Sequence, residues 1–204
     1  MSTTAMTLGE RLKTETAEQH KRAENTEIQK LLVHGRVTRE QYGAWLGQMK
    51  HVHAALESAV ARQARADARV KIAQMEGSHA ARIAADMQVV GAADAPALAS
   101  TQALIAEINR TDAVGLIGMH YVLEGSMNGG KFIAMGVRRG LGLTTGQGDT
   151  YLDPYGERQR GVWAAWKGAL DATEFSADES ERVLAGAKAM FDGVTGLGME
   201  LSGR

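Results

Sequence analysis

The chain has 204 residues with 24 glycines, two prolines and no cysteine, a length suited to one domain that buries about 70% of the surface its unfolded form exposes. Without cysteine, disulfides, iron–sulfur clusters, cysteine nucleophiles and thiolate metal sites are excluded, so a metal must be held by His, Asp, Glu, Met or Tyr. Lys and Arg total 23 against 24 Asp and Glu, a net charge of −1 that argues against a nucleic-acid or anionic-membrane binder; residues 1–7 lack a leader pattern and no uncharged apolar run reaches the roughly 20 residues of a membrane span, which points to a soluble, cytoplasmic chain.

Thr7 and Glu10 have the spacing of a helix start, and Leu8, Leu12, Thr16 and His20 then fall on about one side of a first helix. Thr38 and Gln41 form a capping-box pattern ahead of Tyr42, Trp45, Leu46, Met49, Val52, Leu56 and Val60, one apolar face of a long helix. Further helices are predicted near 78–90, 96–109, 112–124, 128–139 and 156–171, with residues 140–153 as the main loop. Ser176 and Glu179 cap a C-terminal helix whose stripe runs Val183, Leu184, Ala187, Phe191, Val194 and Leu201. Alternating strand patterns, repeats and sustained heptads are missing, so the chain reads as a single all-α domain over 1–204, a globular bundle and not a coiled coil.

Three of the six histidines have a glutamate four residues on: His20/Glu24, His53/Glu57 and His120/Glu124. That spacing suits ordinary helix-surface ion pairing, and equally a carboxylate that fixes the tautomer of a metal-ligating imidazole. His20 stands out because Lys13 lies two turns earlier on nearly the same face, about 10 Å along the axis. A ligating imidazole with a cation at that distance fits a ligand with a metal centre and anionic edge groups, the shape of heme.

The second feature is the run from His120 to Ala134, apolar on both sides yet carrying Gly125, Gly129 and Gly130. A helix interrupted there can bend and let a ligand approach its backbone, since no Cβ stands in the way; a plain helix–loop–helix corner is the alternative. The phosphate-loop pattern is absent, with neither a following Lys-Ser/Thr nor a preceding strand.

Together these segments resemble the bacterial, biliverdin-forming heme oxygenases. Leu12, Lys13, His20, Ala23, Glu24 and Asn25 look like that family's proximal helix, and Leu123, Glu124, Gly125 and Ser126 with Gly129 and Gly130 look like its distal helix. The resemblance implies an all-α, heme-oxygenase-like bundle with the ligand sandwiched between a proximal N-terminal helix and a glycine-kinked distal helix. It implies heme as substrate and cofactor, cleaved with O2 and external electrons to biliverdin, CO and ferrous iron. His20 would be the proximal iron ligand, Glu24 its ring partner and Lys13 a propionate partner. Gly125 and Gly129 would press the distal backbone over the heme, with Gly130 beside them. The same resemblance brings in an external reductant such as ferredoxin or a flavin reductase, and a bacteriophytochrome as a candidate acceptor of biliverdin.

One departure stands out. Where many members carry an acidic residue directly after the first distal glycine, this chain has Ser126, leaving Ser126 and Asn128 as candidates to hold the water that delivers protons. For the second propionate, Arg158, Arg160 and Lys167 compete with Lys131, Arg138 and His120. Other readings of the residues are a non-heme di-iron oxidase using the His/Glu pairs as ligands, and a heme carrier or sensor without turnover. The di-iron reading is weakened by a single Glu-x-x-His element, Glu76 to His79, where the carboxylate bundle uses two.

Overall fold

The computed structural model describes residues 6–74 and 76–203; of residues 1–7, read above for targeting character, the first five lie outside it. Its helices are α1 (Leu8–Glu15), α2 (Ala17–Glu24), α3 (Glu27–His34), α4 (Arg39–Gln63), α5 (His79–Val90), α6 (Ala99–Arg110), α7 (Ala113–Leu141), α8 (Gln159–Asp171) and α9 (Ala177–Ser202). Short 3-10 turns at Ala68–Ala73 and Gly156–Arg158 complete it, with no strand among the described residues. Nor is any described helix long and apolar enough to cross a membrane.

Local chemistry sets the helix starts. Thr7, Thr38 and Ser176 each accept the N3 backbone N–H while Glu10, Gln41 and Glu179 reach back to the cap, so all three reciprocal caps expected from sequence form. The first helix, however, divides at Thr16, whose buried hydroxyl donates to the Leu12 carbonyl at 2.7 Å. Threonine bonded back to the i−4 carbonyl bends a helix, and here the bend places His20 on the separate α2. Helix α3, absent from the sequence reading, is a two-turn element that buries Ile28 and Leu32 and stops at Gly35 in the left-handed region, φ 66°.

The larger correction concerns residues 112–139. Two helices with a glycine interruption were expected; the structure has one continuous helix, α7, with no left-handed residue within it until its C-cap Gly142, φ 65°. Glycine in a helix interior costs about 1 kcal/mol relative to alanine. Burial around the whole circumference of its N-terminal part, residues 113–120, offsets that cost, with Leu116, Ile117 and Met119 fully enclosed, whereas Phe132 and Met135 further on are exposed. Its flanking glycines permit close approach: a Cβ on Gly118 would overlap the Val183 carbonyl of α9, and one on Gly136 the Leu32 carbonyl of α3. Around α7 the buried side chains of α1, α3, α4, α5, α6, α8 and α9 form one continuous core.

Candidate functional site

A cavity of about 910 Å³ opens between α1 and α2 on one side and α7 on the other, with α8, α9 and the Tyr151–Leu152 turn closing its ends. Pockets for organic ligands run roughly 300–1,000 Å³, so this one is large enough for a broad, flat molecule. Lys13, His20, Glu24, Gly125, Ser126, Asn128, Gly129 and Gly130 all line it, so the two segments singled out in the sequence, about 100 residues apart, meet at one site. Arg158 does not.

On the α2 wall the His20 side chain is 55% exposed and its Nδ1 lies 3.4 Å from Glu24 Oε2. Phe191 of α9 meets the imidazole edge-on, ring centroids 5.6 Å apart, which limits how far it can swing. Nδ1 is thereby turned toward a carboxylate, and Nε2 makes no hydrogen bond to any of the described residues. An imidazole held this way is suited to ligate a metal through Nε2, because the carboxylate fixes the tautomer and raises the basicity of the other nitrogen.

The three glycines of the α7 wall are not equivalent. A Cβ on Gly125 would sit 3.2 Å from the Trp163 indole, and one on Gly130 would overlap the Leu152 carbonyl, whereas a Cβ on Gly129 meets nothing within 4 Å. Gly129 therefore keeps a strip of helix backbone bare toward the cavity. Gly130 instead lets the 142–158 segment cross α7. Ser126 Oγ donates to the Leu123 carbonyl at 2.7 Å and Asn128 Nδ2 to the Gly125 carbonyl at 2.9 Å. The serine hydroxyl proton is thus committed to its own helix, and toward the cavity Ser126 can only accept.

Charge at the rim sorts itself. Glu10 is held in its capping box and Asp171 accepts the Gly9 N–H, leaving Lys13 and Lys167 as lining cations with no carboxylate partner among the described residues. Lys167 Nζ lies 5.8 Å from the Trp163 ring centroid, a cation–π placement. Arg158 is instead drawn away from the site, its guanidinium bidentate to the Glu76 carboxylate at 3.1 Å on the surface. Of the other contenders, Arg138 pairs with Asp149 and Asp153, His120 is buried behind the cavity, and Lys131 and Arg160 are not lining residues. The sequence could not rank these because the choice depends on which turn of α8 faces α1.

The three His/Glu pairs also separate. Only His20/Glu24 is at the cavity. Glu57 accepts Ser78 Oγ at 2.6 Å and the Ala80 N–H at 3.0 Å, capping α5 and releasing His53 to bond Tyr151 Oη at 2.9 Å. His120 and Glu124 do face each other, 4.0 Å apart, but in the interior, where His79 approaches the same oxygen to 3.8 Å. Burial raises the Glu124 carboxyl, but His79, His120 and Tyr155 outweigh it and hold the group below the usual range. Burial also pushes His120 down to about 4, with Glu124 opposing, and drives His53 well below its ordinary value, so both rings are neutral. Tyr151, a cavity wall residue, was missed in the sequence because it sits in a stretch that reads only as loop.

The family model for heme oxygenase matches residues 6–195. Among solved structures, the heme oxygenase from Leptospira interrogans is similar at TM-score 0.86 and 22% identity, covering 96% of this chain and 100% of that one. Heme oxygenase-2 from Synechocystis sp. PCC 6803, in complex with heme and NO, is similar at TM-score 0.87 and 20% identity, covering 97% and 86%. Heme oxygenase-1 from the same cyanobacterium, in complex with heme, gives 0.84 and 18%, covering 97% and 93%. No curated protein sequence matches the chain.

Proposed function

The chain belongs to the heme oxygenase family, and from that premise we propose that it binds heme in the cavity and cleaves it with O2 and external electrons to biliverdin, CO and ferrous iron. The observation that carries this reading is the meeting of an imidazole with a free Nε2, His20, and a bare strip of helix backbone, Gly129, on two walls of one large cavity. Bound heme supplies the iron at which O2 is activated and is itself the carbon skeleton that is cut.

The chain's own residues do the rest. His20 Nε2 is the iron-holding atom, with Glu24 fixing the ring and Phe191 limiting its rotation. Lys13 and Lys167 take the two propionates, each a charge-assisted contact. Gly125 and Gly129 bring the α7 backbone over the distal face, and Trp45, Met49, Leu123 and Val122 exclude water. Ser126, with its acceptor lone pairs, and Asn128, with a second amide N–H, hold water there. A ferredoxin or a flavin reductase is the reductant that suits a soluble cytoplasmic enzyme, and a bacteriophytochrome the partner that takes biliverdin.

A di-iron site asks the His/Glu pairs to converge, yet among the described residues no three His, Asp or Glu are placed to hold a metal. Glu76 and His79 point apart, one to surface Arg158 and the other into the core. Heme added to the purified protein should give a Soret band that His20→Ala removes or shifts, and reductant with O2 should then release CO and biliverdin absorbance. A stable complex that survives reductant and O2 would instead make the protein a carrier or sensor.

A further inference from the structure

Behind the distal wall lies a polar cluster that the heme reading does not use. His53, His79, His120 and Glu124 are at most 2% exposed, and Tyr151 and Tyr155 at most 5%. They lie side by side, hydrogen-bonded between Tyr151 and His53 and in ring contact between His53 and His79. Tyr151 lines the cavity and bonds His53 Nε2 at 2.9 Å; the His53 ring lies 5.2 Å from that of His79, centroid to centroid; and Tyr155 Oη is 3.4 Å from both His79 Nε2 and Glu124 Oε2. Tyr155 in turn sits under the guanidinium of Arg82, 5.9 Å away, whose other contacts are to the backbone of surface Glu76. The cluster therefore lies between the cavity and the protein surface.

His53 Nδ1, His79 Nδ1 and Glu124 Oε1 are buried with no hydrogen-bond partner among the described residues. Unsatisfied buried polar groups are costly and are concentrated where function requires them. Among the described residues no three His, Asp or Glu are placed to hold a metal ion, these included. Meanwhile the position at which a distal acid was expected holds Ser126, whose only proton goes to the Leu123 carbonyl. Tyr151 has the opposite disposition. Its backbone N–H is clamped by Asp86 Oδ2 at 2.8 Å, Thr150 beside it by Asp86 Oδ1, and Tyr42 holds the Gly148 carbonyl at 2.8 Å, so the phenol is fixed in the wall.

Resting on the heme-cleaving reading, we propose that Tyr151 is the proton donor of the distal cavity and that His53 is its positioning residue, holding the phenol oxygen through Nε2–H. The hydroxyl gives its proton to the acceptor in the cavity while its oxygen stays hydrogen-bonded to His53 Nε2–H, and a water in the cavity then returns a proton to that oxygen. One proton enters as one leaves, and no electron moves. Burial and the Glu124 charge both oppose ionisation of Tyr151, which keeps the hydroxyl protonated between transfers. The groups facing the phenol are His53 from α4, His79 and Asp86 from α5 and Glu124 from α7.

The test compares Tyr151→Phe, His53→Leu and His53→Gln, the last keeping an N–H for the phenol oxygen. All three should bind heme within about threefold of wild-type affinity, with Tyr151→Phe and His53→Leu slowing turnover at least tenfold and His53→Gln restoring a substantial part of it. Their rates should rise as pH falls, as solvent acid replaces the lost donor, while the wild-type rate responds less. In the heme-free protein the 15N signal of His53 Nε2 should move on Tyr151→Phe. Wild-type turnover by Tyr151→Phe, an unmoved His53 signal, or equal impairment by the Leu and Gln variants would each overturn the proposal. Failure of the wild-type protein to bind heme would overturn the function reading, and the NMR comparison would still decide the Tyr151–His53 contact.

Discussion

Asp171, the last residue of α8, accepts the backbone N–H of Gly9 in the first turn of α1 at 2.9 Å. This bond joins the segment carrying Lys13 to the segment carrying Lys167, so it sets the spacing of the two rim cations. A carboxylate at a helix N-terminus is also favourable to the helix dipole. Asp171→Ala should cost about 1 kcal/mol in urea unfolding and weaken heme binding several-fold, whereas Asp171→Asn, which keeps an acceptor, should bind nearly as the wild type does.

Neighbouring glycines on α7 should respond with opposite signs. Gly129 has helical backbone and open space in front of it, so Gly129→Ala should stabilise the fold by about 0.5–1 kcal/mol while shifting or slowing heme cleavage, and Gly129→Leu should fill the cavity and abolish it. Gly130→Ala drives a Cβ into the Leu152 carbonyl and should destabilise the protein by about 1–3 kcal/mol. Thermal melts of the heme-free variants, followed by product analysis, check both.

Lys13→Ala and Lys167→Ala should each weaken heme binding by roughly tenfold, with the double variant close to additive if, as proposed, the two ammonium groups serve different propionates. Arg158→Ala should leave affinity unchanged, since its guanidinium is spent on Glu76. Heme titrations at two salt concentrations measure this. A loss on Arg158→Ala equal to that on Lys167→Ala would reverse the assignment.

Stability should fall between about pH 6.5 and 4. His120, pushed down to about 4, and His53, driven well below its ordinary value, bind protons in the unfolded chain but not in the folded one across that window. Their contribution is fully present above about pH 6.5, the ordinary histidine value, and drains away as acid is added. Glu124, held below its usual range, adds a loss at still lower pH. Urea midpoints at pH 7, 6 and 5 should decline in order, and His120→Leu should flatten the decline by up to one proton. Equal midpoints at pH 7 and 5 would contradict the burial of these rings.

What the sequence by itself determined is local. Capping pairs such as Ser176 with Glu179, the apolar period of α4, the turn-length spacing of Lys13 and His20 and the glycine run at 125–130 all operate within a few residues, where helix geometry alone fixes the neighbours. The all-α architecture followed from those features, and the resemblance of the Lys13–His20 segment and the glycine run to known sequences pointed to the family. Tertiary structure decided what depends on contacts distant in the chain. Thr16 breaks the first helix although its neighbours suit a continuous one, and α7 runs unbroken through its glycines from an N-terminal part, residues 113–120, buried on every side. Lys167 takes the rim position over Arg158 because Glu76, 82 residues earlier in the chain, holds the arginine. Tyr151 and His53, 98 residues apart, meet only because Asp86 and Tyr42 clamp the intervening loop. No periodicity encodes such pairings, because the interior chooses its polar partners by where packed helices bring them, not by their order along the chain.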